Sequence, residues 1–450
     1  MNKLSNDDFY KTVFSEHDDS ISLSLERDPL GLQPIWTSLG NKVFSGVTTS
    51  VATDIRNYTI NLLHHAVVFS IKFDYPEVWS ELRTESRKVG DNTITDSEVQ
   101  NRLILALEMM LAYAAVKNDW SYSSGILGIS SARKRWSSEN HRDFTRINLK
   151  EVPRDPRKED YDGFVTLLVR QSGLGINGRY KGPFKNMGLL DKNGDYPYNS
   201  GVWREVIALF NADPDYKKLL SRLTDFFVKD VREKSFELSL VETFEFIESY
   251  TEVFNQQYPI TGQIELFWLE KLKISPGSLA KKIYDEIDSE SDFESLAKVL
   301  FTNNCAIPEA KRICEVEPFL VLNEYLFAAL IQKPKDITLH QNLENKIRFY
   351  AHSIKIEEEY TTRLRDLINV ANSENISIGL INYHNKIATE REIHPWISDK
   401  EHVFKKTKYI SDLDEMLKTM NENSTNIAWR RGYYLSSIKQ IKLGFKGLSA

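Results

Sequence analysis

The sequence predicts a mainly α, multi-helical protein in two parts, with a small winged-helix-like α+β element in the first half. Three observations carry that expectation. The Val51–Phe73 and Leu103–Val116 runs are apolar for longer than one strand extends. From Val202 onward, apolar residues recur at spacings of three and four between residues suited to helix caps. A loop-dominated, glycine-containing stretch around 191–201 separates the two regimes, giving expected domains of about 1–200 and 201–450, with 257–262 as a second place for a boundary.

Taken in order, residues 1–28 read as a polar, acidic arm. Pro29, Gly31 and Pro34 interrupt regularity, and Ile35–Leu39 suggest a short helical turn. A buried helix is expected from about Thr53 to Phe73. Pro76 opens a short helix at the position where its missing N–H costs nothing. Asp96 is expected to cap a strong helix through Lys117, with Ser97 and Glu98 following at its positive end. Gly182 and Pro183 are expected to interrupt helix formation, leaving 173–197 loop-dominated. Val165–Arg170, the glycine turns and Met187–Leu190 together give the helix-plus-hairpin rhythm of a small winged helix. Beyond this, Asp213-Pro214 starts a helix to about Lys234, and Ser239–Tyr250 gives another. Ser275-Pro276 looks like a cap and first turn, and the helix from Pro308 is expected to break at Pro318. One long helix or two should occupy Thr338–Asn372, with shorter ones near 397–406, 409–421 and 427–441.

Composition bounds the function. A hydrophobic fraction of 41% over 450 residues implies a sizeable core and room for two or three domains. The net charge of −6 argues against a protein that coats polyanions over its whole surface, while leaving room for a local basic patch. Cys305 and Cys314, nine apart, fit neither a disulfide framework nor a zinc site. The opening residues lack the apolar core of a signal peptide, and Leu103–Val116 is short for a membrane span. The expected location is the cytoplasm, with no membrane contact and no cofactor.

Several short motifs fail for want of context. Gly173, Gly175 and Gly178 spell GxGxxG, which cradles a pyrophosphate only between a strand and a helix. With Gly182 and Pro183 following, it reads as a turn. His141-Arg142-Asp143 with Asn148 matches a kinase catalytic loop, but the glycine loop comes after it and no DFG exists. Glu159, Asp160 and Asp162 beside Lys158, and the pair Glu309 and Lys311, resemble the carboxylate–lysine sets of magnesium nucleases without the sheet that carries them. They read as solvated charge. His64-His65 lies in an apolar run, where at least one reads as a hydrogen-bonded core residue.

What stands out is sign segregation. Thirteen Lys/Arg against seven Asp/Glu give Arg133–Lys185 a local balance of +6, so the remainder of a chain at −6 carries −12. Such a separation is the footprint of a polyanion or an acidic partner. Trp136, Phe144, Tyr161 and Tyr180 are interleaved and suit stacking or loop support. A smaller basic tail follows Glu422, with Arg430, Arg431, Lys439, Lys442 and Lys446 among Trp429, Tyr433, Tyr434 and Phe445.

Asp28-Pro-Leu-Gly-Leu-Gln-Pro-Ile-Trp36, Leu39, the Val43–Val47 turn and the apolar helix after Arg56 resemble the N-termini of uncharacterised bacterial proteins from phage-defence islands. The resemblance covers about residues 25–135, with Ser45-Gly46 where that pattern often has Pro-Gly. It implies a prokaryotic, multi-gene setting with separate ATPase, helicase or nuclease subunits, and it transfers no catalytic residue. The expectation is a non-catalytic DNA-binding or scaffold subunit of an anti-phage defence complex. Arg133, Lys134, Arg135, Arg142, Arg146, Arg179 and Lys181 would meet the phosphates of double-stranded DNA. The alternatives are a protein-binding adaptor for a partner enzyme without nucleic-acid contact, and a cryptic metal-dependent nuclease.

Overall fold

The computed structural model describes residues 28–47, 53–85, 94–118, 128–137, 146–151, 166–168, 175–197, 201–239, 244–254, 258–287, 292–355, 361–392, 394–397 and 427–447, with positions 172, 413 and 417. In chain order the elements begin with α1 (Gln33–Val43), α2 (Ile55–Asp74), α3 (Pro76–Glu85), α4 (Asp96–Lys117), α5 (Ile129–Trp136) and β1 (Arg146–Asn148). Then come α6 (Ile176–Asn186), α7 (Gly201–Asn211), α8 (Pro214–Arg232), β2 (Glu237–Ser239), α9 (Phe244–Val253), α10 (Gly262–Lys271) and α11 (Leu279–Glu286). The rest are α12 (Phe293–Asn303), α13 (Pro308–Gln332), α14 (Ile337–Ser353), α15 (Thr362–Ala371), α16 (Ile376–Glu390) and α17 (Leu435–Phe445). The protein is mainly α.

Two compact units emerge, and neither is a sequential half. One gathers Met1–Val47 with Lys273–Lys439; the other gathers Thr48–Leu272 with Gln440–Ala450. The division does not fall near residue 200, because α1 and its flanks pack on the late helices, in the same unit as α13 and α16.

The Thr48–Leu272 unit is built around α2, which is buried on every face from Ile55 to Ile71. A helix buried all round needs neighbours on all sides; α3, α4, α6, α7 and α8 supply them. Asp54 caps α2 by accepting from the Arg56 N–H. Thr95, one residue before the expected cap, closes α4 in a reciprocal box with Glu98. Although α4 is long and apolar enough to cross a bilayer, it lies inside this unit, buried over most of Val99–Ala115. The strands form an antiparallel ladder pairing Arg146 with Ser239 and Asn148 with Glu237. Among the described residues this long-range pair is the sheet of the protein, and the stretch read as a hairpin contains α6 instead.

α6 is a correction. It runs through both Gly182 and Pro183, its face of Ile176, Tyr180, Pro183 and Phe184 buried at spacings of four, three and one. Burial of that face against α2 outweighs the hydrogen bond that Pro183 cannot donate.

In the other unit α13 plays the central part. It contacts α1, α12, α14 and α16. It also continues through Pro318, where a break was expected, since Val316–Asn323 are buried on all sides and neighbours hold both halves in line. The run 338–372, expected as one helix or two, is two, α14 and α15, and Ser278 rather than Ser275 caps α11. The expected helix at 427–441 starts only at Leu435. Before it, Tyr433 and Tyr434 both adopt positive φ (44° and 66°), which ends the non-helical segment 427–434 in a tight reversal. Expected helices at 397–406 and 409–421 lie almost wholly outside the described residues.

Candidate nucleic-acid interface

Three of the predicted phosphate-binding residues sit on α5. Gly128 starts this helix with φ +86°, and a Cβ there would lie 3.1 Å from Leu167, so glycine satisfies both the turn and the close approach. Ile129 and Ala132 are buried and dock the helix on α4. The opposite face turns Arg133 and Lys134 to solvent. Arg135 is half-buried and donates through Nη2 to the Thr166 carbonyl at 2.6 Å. The Trp136 ring packs 6.1 Å from that of Tyr113 on α4. All three cations also occupy the last turn, where the helix dipole favours positive charge.

Arg179 and Lys181 belong to α6, whose first turn is anchored from within. The Asn177 N–H donates to buried Glu108 Oε1 at 2.7 Å, so the chain's own carboxylate stands where an anion would bind a helix N-terminus. That disposes of the GxGxxG stretch as a phosphate cradle more directly than its sequence context did. Asn177 Oδ1 accepts from His65 Nε2 at 2.8 Å, and the Tyr196 hydroxyl donates to the His65 carbonyl at 3.0 Å. His64 Nε2 lies 3.0 Å from the Tyr250 hydroxyl. Burial pushes the imidazole of His64 down to about 3, helped by His65 beside it. Burial likewise takes His65 down to about 4, with the Asn177 bond opposing and Lys181 adding to the drop. Both are therefore neutral core residues, where at least one was expected to be.

Arg179 is exposed. Lys181 is half-buried, and burial, then the neighbouring Lys185, lower it while Asp195 and Asp191 oppose. Its ammonium serves the Asp191–Asp195 turn, in which Asp191 Oδ1 accepts from the N–H groups of Asn193 and Asp195. This Asp-x-Asn-x-Asp spacing, which the sequence reading passed over, matches the first ligands of a calcium loop. Here an internal lysine faces the carboxylates, and the twelfth position is Val202. Gly194 has φ +87°, and a Cβ there would come within 2.0 Å of Lys181 Cε. Gly194→Ala is expected to cost about 1–2 kcal/mol through the left-handed backbone alone, read as a lowered denaturation midpoint; an unchanged midpoint would show the turn relaxing freely.

The remaining predicted residues are only partly described. Arg146 lies in β1, known by its backbone register. Arg142, His141, Asp143 and the carboxylates at 159–162 lie outside the described residues. Elsewhere in the basic segment, Lys150 pairs with Glu85 at 3.2 Å and covers the Phe236 ring, and Lys185 donates to the Lys192 carbonyl. The fold thus uses Arg135, Lys150, Lys181 and Lys185 internally. Lys134 and Arg179 have neither an ion pair nor a side-chain hydrogen bond to another described residue. Lys311 pairs along its helix with Glu315 at 3.8 Å. The described residues contain no group of three or more His, Cys, Asp or Glu able to hold a metal.

One member of the basic tail, Arg431, is buried in the core. Glu317 is wholly buried. It accepts from the Arg431 guanidinium (3.3 Å to each oxygen), the Tyr433 hydroxyl (2.6 Å) and the Arg430 N–H (2.9 Å). Arg431 also reaches Glu324 at 2.6 Å. Burial raises Glu317, and Arg431, Tyr433 and the Arg430 N–H counteract it. Burial would lower Arg431, but Glu324 and Glu317 more than offset that and keep it charged. Comparison of the chain with family models, curated proteins and solved structures found no match.

Proposed function

We propose that this chain is a non-catalytic DNA-binding or scaffold subunit of a prokaryotic anti-phage defence complex, touching duplex phosphates through α5 and α6. The observation that carries the reading is the segregation of charge, +6 within Arg133–Lys185 against −12 elsewhere. Arg133, Lys134 and Arg179 are the exposed described members of that set. Contacts of this kind supply affinity without reading sequence. The defence setting and the ATPase, helicase or nuclease partners rest on the N-terminal resemblance, and the cytoplasmic location on the opening residues and the sparse cysteines.

The test is duplex binding as a function of salt. Each phosphate neutralised contributes a slope of about −0.9 in log K against log salt. Arg133→Glu with Lys134→Glu is expected to weaken binding at least about tenfold and to flatten that slope by roughly two. Arg135 is left intact because it holds Thr166. Affinity indifferent to salt, or untouched by the double reversal, would overturn the proposal.

One observation favours the adaptor reading instead. Ile337 and Phe349 on α14 are each 66% exposed, more than isolated surface apolar residues need be. Co-purification of a partner protein with no nucleic acid bound would move the assignment there.

A further inference from the structure

Asp191, Asn193 and Asp195 stand at alternate positions, the spacing of the first three ligands in a calcium-binding loop. The fold holds the two aspartates together. The Asp191 N–H donates to the Asp195 carbonyl at 2.8 Å, and Asp191 Oδ1 accepts from the Asp195 N–H at 2.9 Å. A second element reaches this turn from outside it. Gln100, early in α4 and only 6% exposed, donates from Nε2 to the Gly194 carbonyl at 3.3 Å. Its Oε1, on the same amide, is buried and accepts from no described group. Asp195 Oδ1, one residue beyond Gly194, is buried and unpartnered in the same way. Two such acceptors at one turn have given up water with nothing in return, and a cation would satisfy both. Lys181 does so only in part. It lies against Gly194, where a Cβ would come within 2.5 Å of Nζ, yet Asp195 Oδ1 accepts no bond from it.

We propose that this turn is a calcium site formed by Asp191, Asn193, Asp195 and Gln100 Oε1, and that the Lys181 ammonium is a tethered substitute which calcium displaces. The donors are oxygen throughout, carboxylate and amide. That set suits calcium and not the metals that prefer nitrogen or sulfur. Two carboxylates are enough where amide oxygens and water complete a shell of about six to eight ligands. A helix–loop–helix calcium site is closed by a glutamate at its twelfth position. Here that place is Val202, and Gln100 comes in from α4 instead. With only two carboxylates and a lysine in competition, affinity belongs at the weak end, a dissociation constant of about 10⁻⁴–10⁻³ M. Metal and ammonium exclude each other, because both are drawn to the same turn and repel at that range. Calcium binding therefore releases Lys181 from Gly194 to solvent.

The experiment measures radiolabelled calcium bound to the full chain by equilibrium dialysis at constant ionic strength. One ion per chain is expected. Lys181→Met should tighten binding at least about tenfold, since it removes the competing charge and keeps the apolar stem. Asp195→Asn should weaken it at least about tenfold while keeping the side chain's size and the turn's backbone bonds. A second measurement needs no variant. Reductive methylation of lysines, read by mass spectrometry, should rise several-fold at Lys181 when calcium is added and stay level at exposed Lys134. Failure of both the wild-type and the Lys181→Met chains to bind calcium at millimolar concentration would overturn the proposal. So would binding that Asp195→Asn leaves unchanged, or labelling of Lys181 that is indifferent to calcium.

Discussion

Arg431→Met is expected to destabilise the chain by about 3–5 kcal/mol, the loss typical when one partner of a buried ion pair is removed. Glu317 would keep its carboxylate in the core with only Tyr433 and the Arg430 N–H as donors, and Glu324 would lose its closest cation. Methionine fills much of the arginine volume, so the effect reports charge and not a void. Glu317→Gln should cost less. The amide oxygen still accepts from Tyr433, and Arg431 keeps Glu324 at 2.6 Å. Denaturant midpoints for the two variants, read together, give the test. A loss below about 1 kcal/mol for Arg431→Met would mean that Glu317 is protonated in the native state and that the pair stabilises little.

Acid should be the protein's second weakness. His64 and His65 are held neutral, with folded proton affinities near pH 3 and pH 4 against about 6.5 for a free imidazole. His384 is lowered too, by burial and by Arg391, with its Pro29 bond opposing. Its Nδ1 lies 2.8 Å from the Pro29 carbonyl, and its Nε2 accepts from the Trp396 N–H, so a second proton would cost that last bond. The sign follows from linkage. The unfolded chain binds these protons first, so the stabilisation is whole above about pH 6.5 and is lost as pH falls toward the folded values. For His64 and His65 together the loss by pH 4 is on the order of 5 kcal/mol. Urea midpoints between pH 7 and pH 4 should fall steeply in the wild type. In a His64→Gln/His65→Gln chain, which keeps hydrogen-bonding side chains that do not titrate, they should fall less. Parallel curves for the two proteins would assign the acid sensitivity to other groups.

Local signals carried much of the fold. The polar, acidic start at Asp96–Glu98, Asp213 with Pro214, and Asp54 ahead of a largely apolar run announce α4, α8 and α2 to within a residue, because a helix end must satisfy its own N–H groups nearby in sequence. Signals that tertiary packing overrides misled. Pro183 and Pro318 are breakers by local rules, yet burial on both sides carries α6 and α13 through them. The candidate site was legible as a count of signs and no further. Whether Arg135 faces a phosphate or the Thr166 carbonyl depends on a residue 31 positions away. Arg431 reads as a solvated tail until Glu317, 114 residues earlier, is beside it. No spacing rule spans such distances.

The interleaved order of the two units has a consequence for synthesis. Helix α1 belongs with α13 and α15, but Thr48–Leu272 intervenes in the chain. At a ribosomal rate of about 5–20 residues per second, roughly 10–45 s pass before the first residue of its partner segment is made. Through that interval the face of Ile35, Leu39 and Val43 has nothing to close on, while the α2-centred unit can already collapse. The nascent chain therefore offers holdase chaperones a short apolar helix at a defined stage, and slowing translation after Leu272 should lengthen that stage.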